Sequence, residues 1–207
     1  MYLHTFLHNH FLFVEKSYWT PYLNTLPTAA DTHFPVFWSE EELNELQNSR
    51  IKPHIIDYRS RIERKYEGLS KHIFPQWKDI FTPSVFSYEN YLWATAIMDS
   101  RGIWWGNGRH LVPLLDLINC NEEGPDPKRV HATRLDASGV NAVTLADRDY
   151  HTGDQIFENY GQPNWIYLTY HGTVSPEVQP PPPPPAITST SALIELVGVK
   201  VPDDLNV

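Results

Sequence analysis

Leu111-Val-Pro-Leu-Leu-Asp-Leu-Ile-Asn119, together with Gly153-Asp-Gln-Ile-Phe-Glu-Asn-Tyr-Gly161 further along the chain, is the stretch whose reading decides the fold. Each block runs an apolar segment into polar residues, the kind of boundary on which functional sites are built. A third stretch, Ser100-Arg-Gly102, does the same at the end of a helical pattern. By spacing alone none of the three is specific. Asn119 is also what a buried turn takes, Tyr160-Gly161 is also an ordinary strand end, and Cys120 is equally a small core side chain or a nucleophile.

Working outward, short β-type runs follow Leu111: Leu111–Leu115, Val130–Leu135 and Val140–Ala146, the last two joined by a hairpin turn at Asp136-Ala-Ser-Gly139. A turn over Asp147–Asp154 leads to a brief strand at Gln155–Phe157, and Pro163 and Gly172 bracket a short helix, Asn164–Tyr170. Upstream the period becomes helical. Ser87 caps a helix that runs through Tyr91–Met98 and stops at Gly102. Residues 39 to about 69 are helical as well: Ser39 and Glu42 form a capping box, and Pro53 opens a second helix with Ile55, Ile62 and Leu69 at intervals of seven. Ser17–Pro27, with two prolines among aromatics, reads as a packed loop with a short helix. Residues 2 to about 15 carry apolar side chains at helical spacing. His4 and His8 share a face there, but without an intervening Glu or a third ligand they make no metal site. After Pro176 six consecutive prolines, Pro180–Pro185, form an extended spacer or a ligand for an SH3 or WW domain, followed by a tail to residue 207.

Composition bounds the function. The chain has 207 residues, 41% of them hydrophobic, enough for one domain plus a tail. With 16 Lys plus Arg against 25 Asp plus Glu the net charge is −9, which repels nucleic acid and anionic lipid and favours a basic partner. A single cysteine excludes an internal disulfide framework and points to an intracellular setting, cytoplasmic or nuclear. No run of apolar residues approaches the length of a membrane span, so no membrane partner is expected.

Taken in order, these blocks resemble the SET domain of the protein methyltransferase branch that includes the Rubisco large-subunit lysine methyltransferase and the actin-histidine methyltransferase. Its carriers are Ser17–Pro27, Phe86–Ala94 leading to Ser100-Arg101, Leu111–Asn119, and Gly153–Gly161 with Asn164 after it. The resemblance covers about residues 3 to 174 and implies an α+β fold: residues 1–175 a partial SET domain, with a helical insertion over about 30–100 and a β-rich core over 103–174, then a proline-rich linker and tail over 176–207. It further implies that the asparagine strand threads beneath the tyrosine-glycine segment as a pseudoknot, placing Asn119 near Tyr160.

The implied activity is methyl transfer from S-adenosylmethionine to a side-chain nitrogen, most often a lysine, in a basic segment of a protein substrate. In that reading Tyr160 is the catalytic residue, orienting the amine. Asn119 hydrogen-bonds the cofactor, Arg101 pairs bidentately with its carboxylate, Asp116 holds that loop or touches substrate, and Cys120 lies in the cofactor loop. Trp104, Trp105, Tyr167 and Tyr170 are aromatics of a substrate channel or of the core. The family has Asn-His where this chain has Asn119-Cys120. It also has a glycine-rich strand pair ahead of the helical part and a large helical domain behind the core, neither of which the sequence shows. The expectation is an N-terminally incomplete SET domain. The other reading is a noncatalytic interaction module that keeps the peptide groove and offers its proline run.

Overall fold

The frame of the molecule is two helices whose ends are written locally and whose apolar faces meet. Ser87 accepts from the Asn90 amide at 3.2 Å and starts Tyr88–Arg101, while a long helix, Ile51–His72, turns Ile55, Tyr58 and Ile62 toward it. Between them they bury Trp93, Ala94, Ala96 and Ile97, the last fully enclosed, and each such aliphatic side chain removed from water contributes about 1.5–3 kcal/mol. We number the helices α1 (Thr20–Leu23), α2 (Glu40–Glu45), α3 (Ile51–His72), α4 (Tyr88–Arg101) and α5 (Asn164–Ile166). The structure is a computed structural model that describes residues 18–105, 108–120, 133–146, 149–158 and 160–174. The helix expected over 2–15 with His4 and His8, the start of the Val130–Leu135 run, and the Pro180–Pro185 run all lie outside the described residues.

The capping box at Ser39 is present in both directions: the Glu42 amide donates to Ser39 Oγ at 3.2 Å, and the Ser39 amide donates to the Glu42 carboxylate at 2.7 Å. The helical region expected over 39–69 is two helices broken after Glu45, where Gln47 takes a positive φ of 44°. Pro53 does not open the second helix. It sits inside the first turn of α3, where its missing N–H is one of the donors a helix leaves unused anyway. Gly102 ends α4 as expected but with extended backbone, φ −79° and ψ 129°. Its role is close approach, since a Cβ there would sit 2.5 Å from both Arg109 Cγ and the Met98 carbonyl.

Beyond α4 the described residues make three two-stranded sheets. β1 (Ile103–Trp105) pairs antiparallel with β2 (Gly108–His110), and β4 (Thr133–Leu135) antiparallel with β5 (Ala142–Thr144). The Asp136 turn joins the second pair: the Asp136 amide donates to the Asn141 carbonyl at 2.9 Å, and Gly139 takes the left-handed φ of 71° that the turn requires. β3 (Asn119–Cys120) pairs parallel with β6 (Phe157–Glu158), joining segments far apart in the chain. Two expected strands are corrected. Leu111–Leu115 is irregular and passes into a 3₁₀ turn at Leu115–Leu117, because Pro113 brings no ladder donor and Leu114 adopts φ 74°. The strand expected at Gln155–Phe157 begins only at Phe157.

Pro163 caps α5 rather than occupying its first position, and α5 continues into a π-helical turn, Tyr167–His171. That turn packs on the Pro35–Phe37 3₁₀ turn, on α4 and on α3, which ties the sheet-bearing part to the helical part. Gly172 follows at φ 69° against the His33 carbonyl. Among the described residues no helix is long and apolar enough to cross a membrane.

Candidate active site

A cleft of about 560 Å³ opens where the C-terminal end of α4, the β1–β2 hairpin, the Leu115–Leu117 turn, the β3–β6 pair and the end of the π turn converge. Its polar wall is built around Asp116, whose side chain is wholly buried. Asp116 Oδ2 accepts from the Tyr22 hydroxyl at 2.8 Å and from Arg101 Nη1 at 3.2 Å, and the same Arg101 nitrogen donates to the Asp116 carbonyl at 3.0 Å. Burial raises the Asp116 carboxyl above the usual carboxylate range, a shift that the Tyr22 hydrogen bond and the Arg101 charge only partly reverse. Asp116 Oδ1 is buried with no hydrogen-bond partner among the described residues, an expensive condition for a charged acceptor. Tyr22 is pushed strongly upward, first by burial and then by the Asp116 charge, so it remains a donor at any working pH.

The parallel pairing of Asn119 with Phe157 and of Cys120 with Glu158 carries the following loop back across β3, and there the Tyr160 hydroxyl donates to the Ile118 carbonyl. Burial, with the nearby Cys120 and Glu158, pushes the Tyr160 phenol well above its ordinary range, so it too stays protonated. Glu158 faces the cleft from β6 and accepts from the Thr133 amide at 2.9 Å, linking that edge to β4.

Of the residues singled out from the sequence, the structure brings Arg101, Asp116 and Tyr160 together on the cleft wall. Asn119 and Cys120 lie beside that wall on β3 without lining it: Asn119 is exposed, and the half-buried Cys120 thiol donates to the Tyr167 hydroxyl at 3.3 Å. The Gln162 amide donates to that same hydroxyl at 3.2 Å, so Tyr167, a core residue, fastens β3 to the Tyr160 loop. Trp104 and Tyr170 line the cleft, and Trp104 is largely exposed. Three groups went unnoticed in the sequence: Asp99, Arg109 and His171. Arg109 ion-pairs with Asp99, which also accepts from the Tyr58 hydroxyl, and its guanidinium lies 4.9 Å from the Trp104 ring centroid. Nothing local marks these three, because their partners come from other elements.

Comparison with known proteins places this geometry. No family model matches the chain. Among curated proteins it is 36% identical over 109 residues to an [aldolase]-lysine N-methyltransferase, that of fructose-bisphosphate aldolase in Arabidopsis thaliana chloroplasts, covering 52% of this chain and 22% of that protein. It is 26% identical over 152 residues to the chloroplastic Rubisco large subunit N-methyltransferase of Nicotiana tabacum, covering 70% and 30% of the two. With the human actin-histidine N-methyltransferase it shares 28% over 159 residues, covering 70% and 25%. The chain thus spans less than a third of the length of these relatives. Among solved structures, the SET domain of LSMT bound to lysine and AdoHcy superposes with a TM-score of 0.69 at 24% identity, and Rubisco LSMT bound to AdoMet with 0.70 at 23%. Each of the two matches covers 84% of this chain and 39% of the other. The fold is that of the SET domain, an α+β arrangement of helices and small sheets. By sequence the chain is a homologue of the SET-type protein methyltransferases of the Rubisco and actin-histidine branch.

Proposed function

We propose that this chain is an S-adenosylmethionine-dependent protein-lysine N-methyltransferase acting on a basic protein segment. The observation that carries the proposal is the parallel β3–β6 pairing, which sets the Tyr160 hydroxyl on the Ile118 carbonyl in the cleft that Arg101 and Asp116 also line.

The residues fit the cofactor. A cleft of about 560 Å³ suits a ligand of this size, for which pockets of roughly 300–1,000 Å³ are usual. Asp116 Oδ1, a buried acceptor in want of a donor, suits an ammonium group. Arg101 uses only Nη1 within the described residues, which leaves the rest of its fork for a carboxylate. Asn119 and Cys120, on β3 alongside, would flank the cofactor. S-adenosylmethionine supplies a methyl group on a sulfonium, already joined to a good leaving group, so the protein's task is positioning. Tyr160 would orient the amine with its hydroxyl oxygen and favour positive charge over its ring face. Exclusion of water from the cleft would disfavour the charged ammonium and shift the lysine toward its nucleophilic free amine. The net charge of −9 supports a basic substrate segment.

Two measurements on the full chain test the reading. Titration calorimetry with S-adenosylhomocysteine should give saturable binding that weakens in Arg101→Ala. Labelled S-adenosylmethionine should transfer its methyl to a lysine-rich protein, with a loss of about 100-fold or more in Tyr160→Phe while cofactor binding persists. Absence of binding heat, or transfer indifferent to Tyr160→Phe, overturns the proposal, and the first result would leave the noncatalytic interaction module in its place.

A further inference from the structure

His171, the last residue of the π-helical turn, lines the cleft beside Tyr160. Its ring centroid is 5.7 Å from that of Tyr160 and 5.8 Å from that of Tyr167. The residue is half-buried and borders the open cleft. With its ring tilted against both tyrosines, the imidazole at the cleft wall can offer a ring nitrogen to a ligand there. The π turn that presents it is the rare, widened kind of helical turn found mostly at functional sites. Gly172 follows it in so close a space that a Cβ there would sit 2.3 Å from the His33 carbonyl.

We propose that His171 is a positioning residue for the target nitrogen, one imidazole nitrogen accepting a hydrogen bond from an N–H of the uncharged amine. The proposal rests on the methyltransferase reading of the same cleft. Burial, reinforced by the Arg101 charge, depresses the imidazole to about 4, so at neutral pH it is uncharged and one ring nitrogen is an acceptor. A free amine has two N–H bonds and one lone pair. Tyr160 spends its hydroxyl proton on the Ile118 carbonyl, so what it offers a ligand is its oxygen as an acceptor. Tyr160 and His171 together then supply two acceptors for two N–H bonds and leave the lone pair unencumbered for the incoming methyl. An ammonium brings a third N–H and a charge, which Arg101 opposes. The pair of acceptors therefore selects the reactive protonation state and aims it.

The test uses the full chain with ¹⁵N-labelled histidine and N-acetyl-lysine methylamide as probe, with and without S-adenosylhomocysteine. The acceptor nitrogen signal of His171 should shift saturably with the probe. In turnover, His171→Phe should raise KM for a lysine peptide about tenfold, the order expected for one lost hydrogen bond to a buried group. His171→Gln, which keeps an acceptor, should recover part of that loss, and calorimetric binding of S-adenosylhomocysteine should be unchanged in both variants. An unmoved His171 signal, or a KM indifferent to His171→Phe, overturns this proposal whether or not S-adenosylhomocysteine binds. Loss of S-adenosylhomocysteine binding with the His171 shift retained overturns the methyltransferase reading and leaves the amine contact standing.

Discussion

Residues 18–101 and 103–174 are held together by different means. The largest buried cluster comes from the helical part apart from Leu111, with Tyr66, Phe74, Phe81 and Phe86 forming a continuous run of ring contacts at its edge, while the other part adds buried Tyr167 and Thr169. The sheet-bearing part buries little. Leu114, Val140, Leu145 and Ile156 are all exposed, and among the described residues its three sheets have two strands each. What orders it is polar: the long-range Asp116–Arg101–Tyr22 cluster, the Tyr160 hydroxyl on Ile118 and the Tyr167 hydroxyl between Cys120 and Gln162, together with the local Asp136 turn. An isolated two-stranded sheet is at best marginal in water, so these sheets depend on the helical part for their persistence. The division is useful for chemistry. A packed helical body supplies stability, and a thinly packed, polar region carries the cleft.

The sharpest way to break the comparison is to empty the helical core. Ile97→Ala, at a fully buried position in α4, should cost about 2–5 kcal/mol, measured as a drop in denaturation midpoint. Loss of the helical signal with the cleft's sheets intact would show that the two parts fold independently.

The seam between the parts is the next target. Gly172→Ala places a Cβ 2.3 Å from the His33 carbonyl at a backbone φ of 69°. Strain in the left-handed region, about 1–2 kcal/mol, adds to overpacking of about 1–3 kcal/mol, for a total of roughly 2–5 kcal/mol in thermal or chemical unfolding.

Acid should act on the cleft before the core. His171 has its folded-state value depressed to about 4, below the 6.5 of the free side chain, so the unfolded chain takes up this proton first as pH falls. The stability associated with keeping His171 neutral is whole above pH 6.5 and declines between 6.5 and about 4. His171→Phe should flatten that part of the stability profile, and an unchanged slope would show that other groups produce it.

The smallest effect belongs to the apolar surface of the sheets. Leu145→Ala, at a side chain half exposed beyond β5, should alter stability by no more than about 0.5 kcal/mol. A cost comparable with that of Ile97→Ala would mean that this face is covered in the working protein.

The residues fall along the same line in how legible they were. Ser87, Ser39 with Glu42, and the Asp136 turn announced themselves, because a cap or tight turn is satisfied by groups three to five residues away. Leu111–Leu115 misled, since an apolar run with the look of a strand became an irregular segment once Leu114 turned left-handed. Arg101, Asp116 and Tyr160 were legible through the resemblance of their motifs, whereas His171, Asp99 and Arg109 carried no motif at all. The sequence by itself determined where α4 runs and how it ends, the helical character of the stretch that holds α2 and α3, and the likeness to a known family. Only the tertiary structure decided that β3 pairs in parallel with β6, that Asp116 is left with a partnerless oxygen, and that His171 is neutral beside Tyr160. Local order follows from bonds that close within a few residues. Burial, partnership and proton affinity depend on which distant segments arrive at the same place.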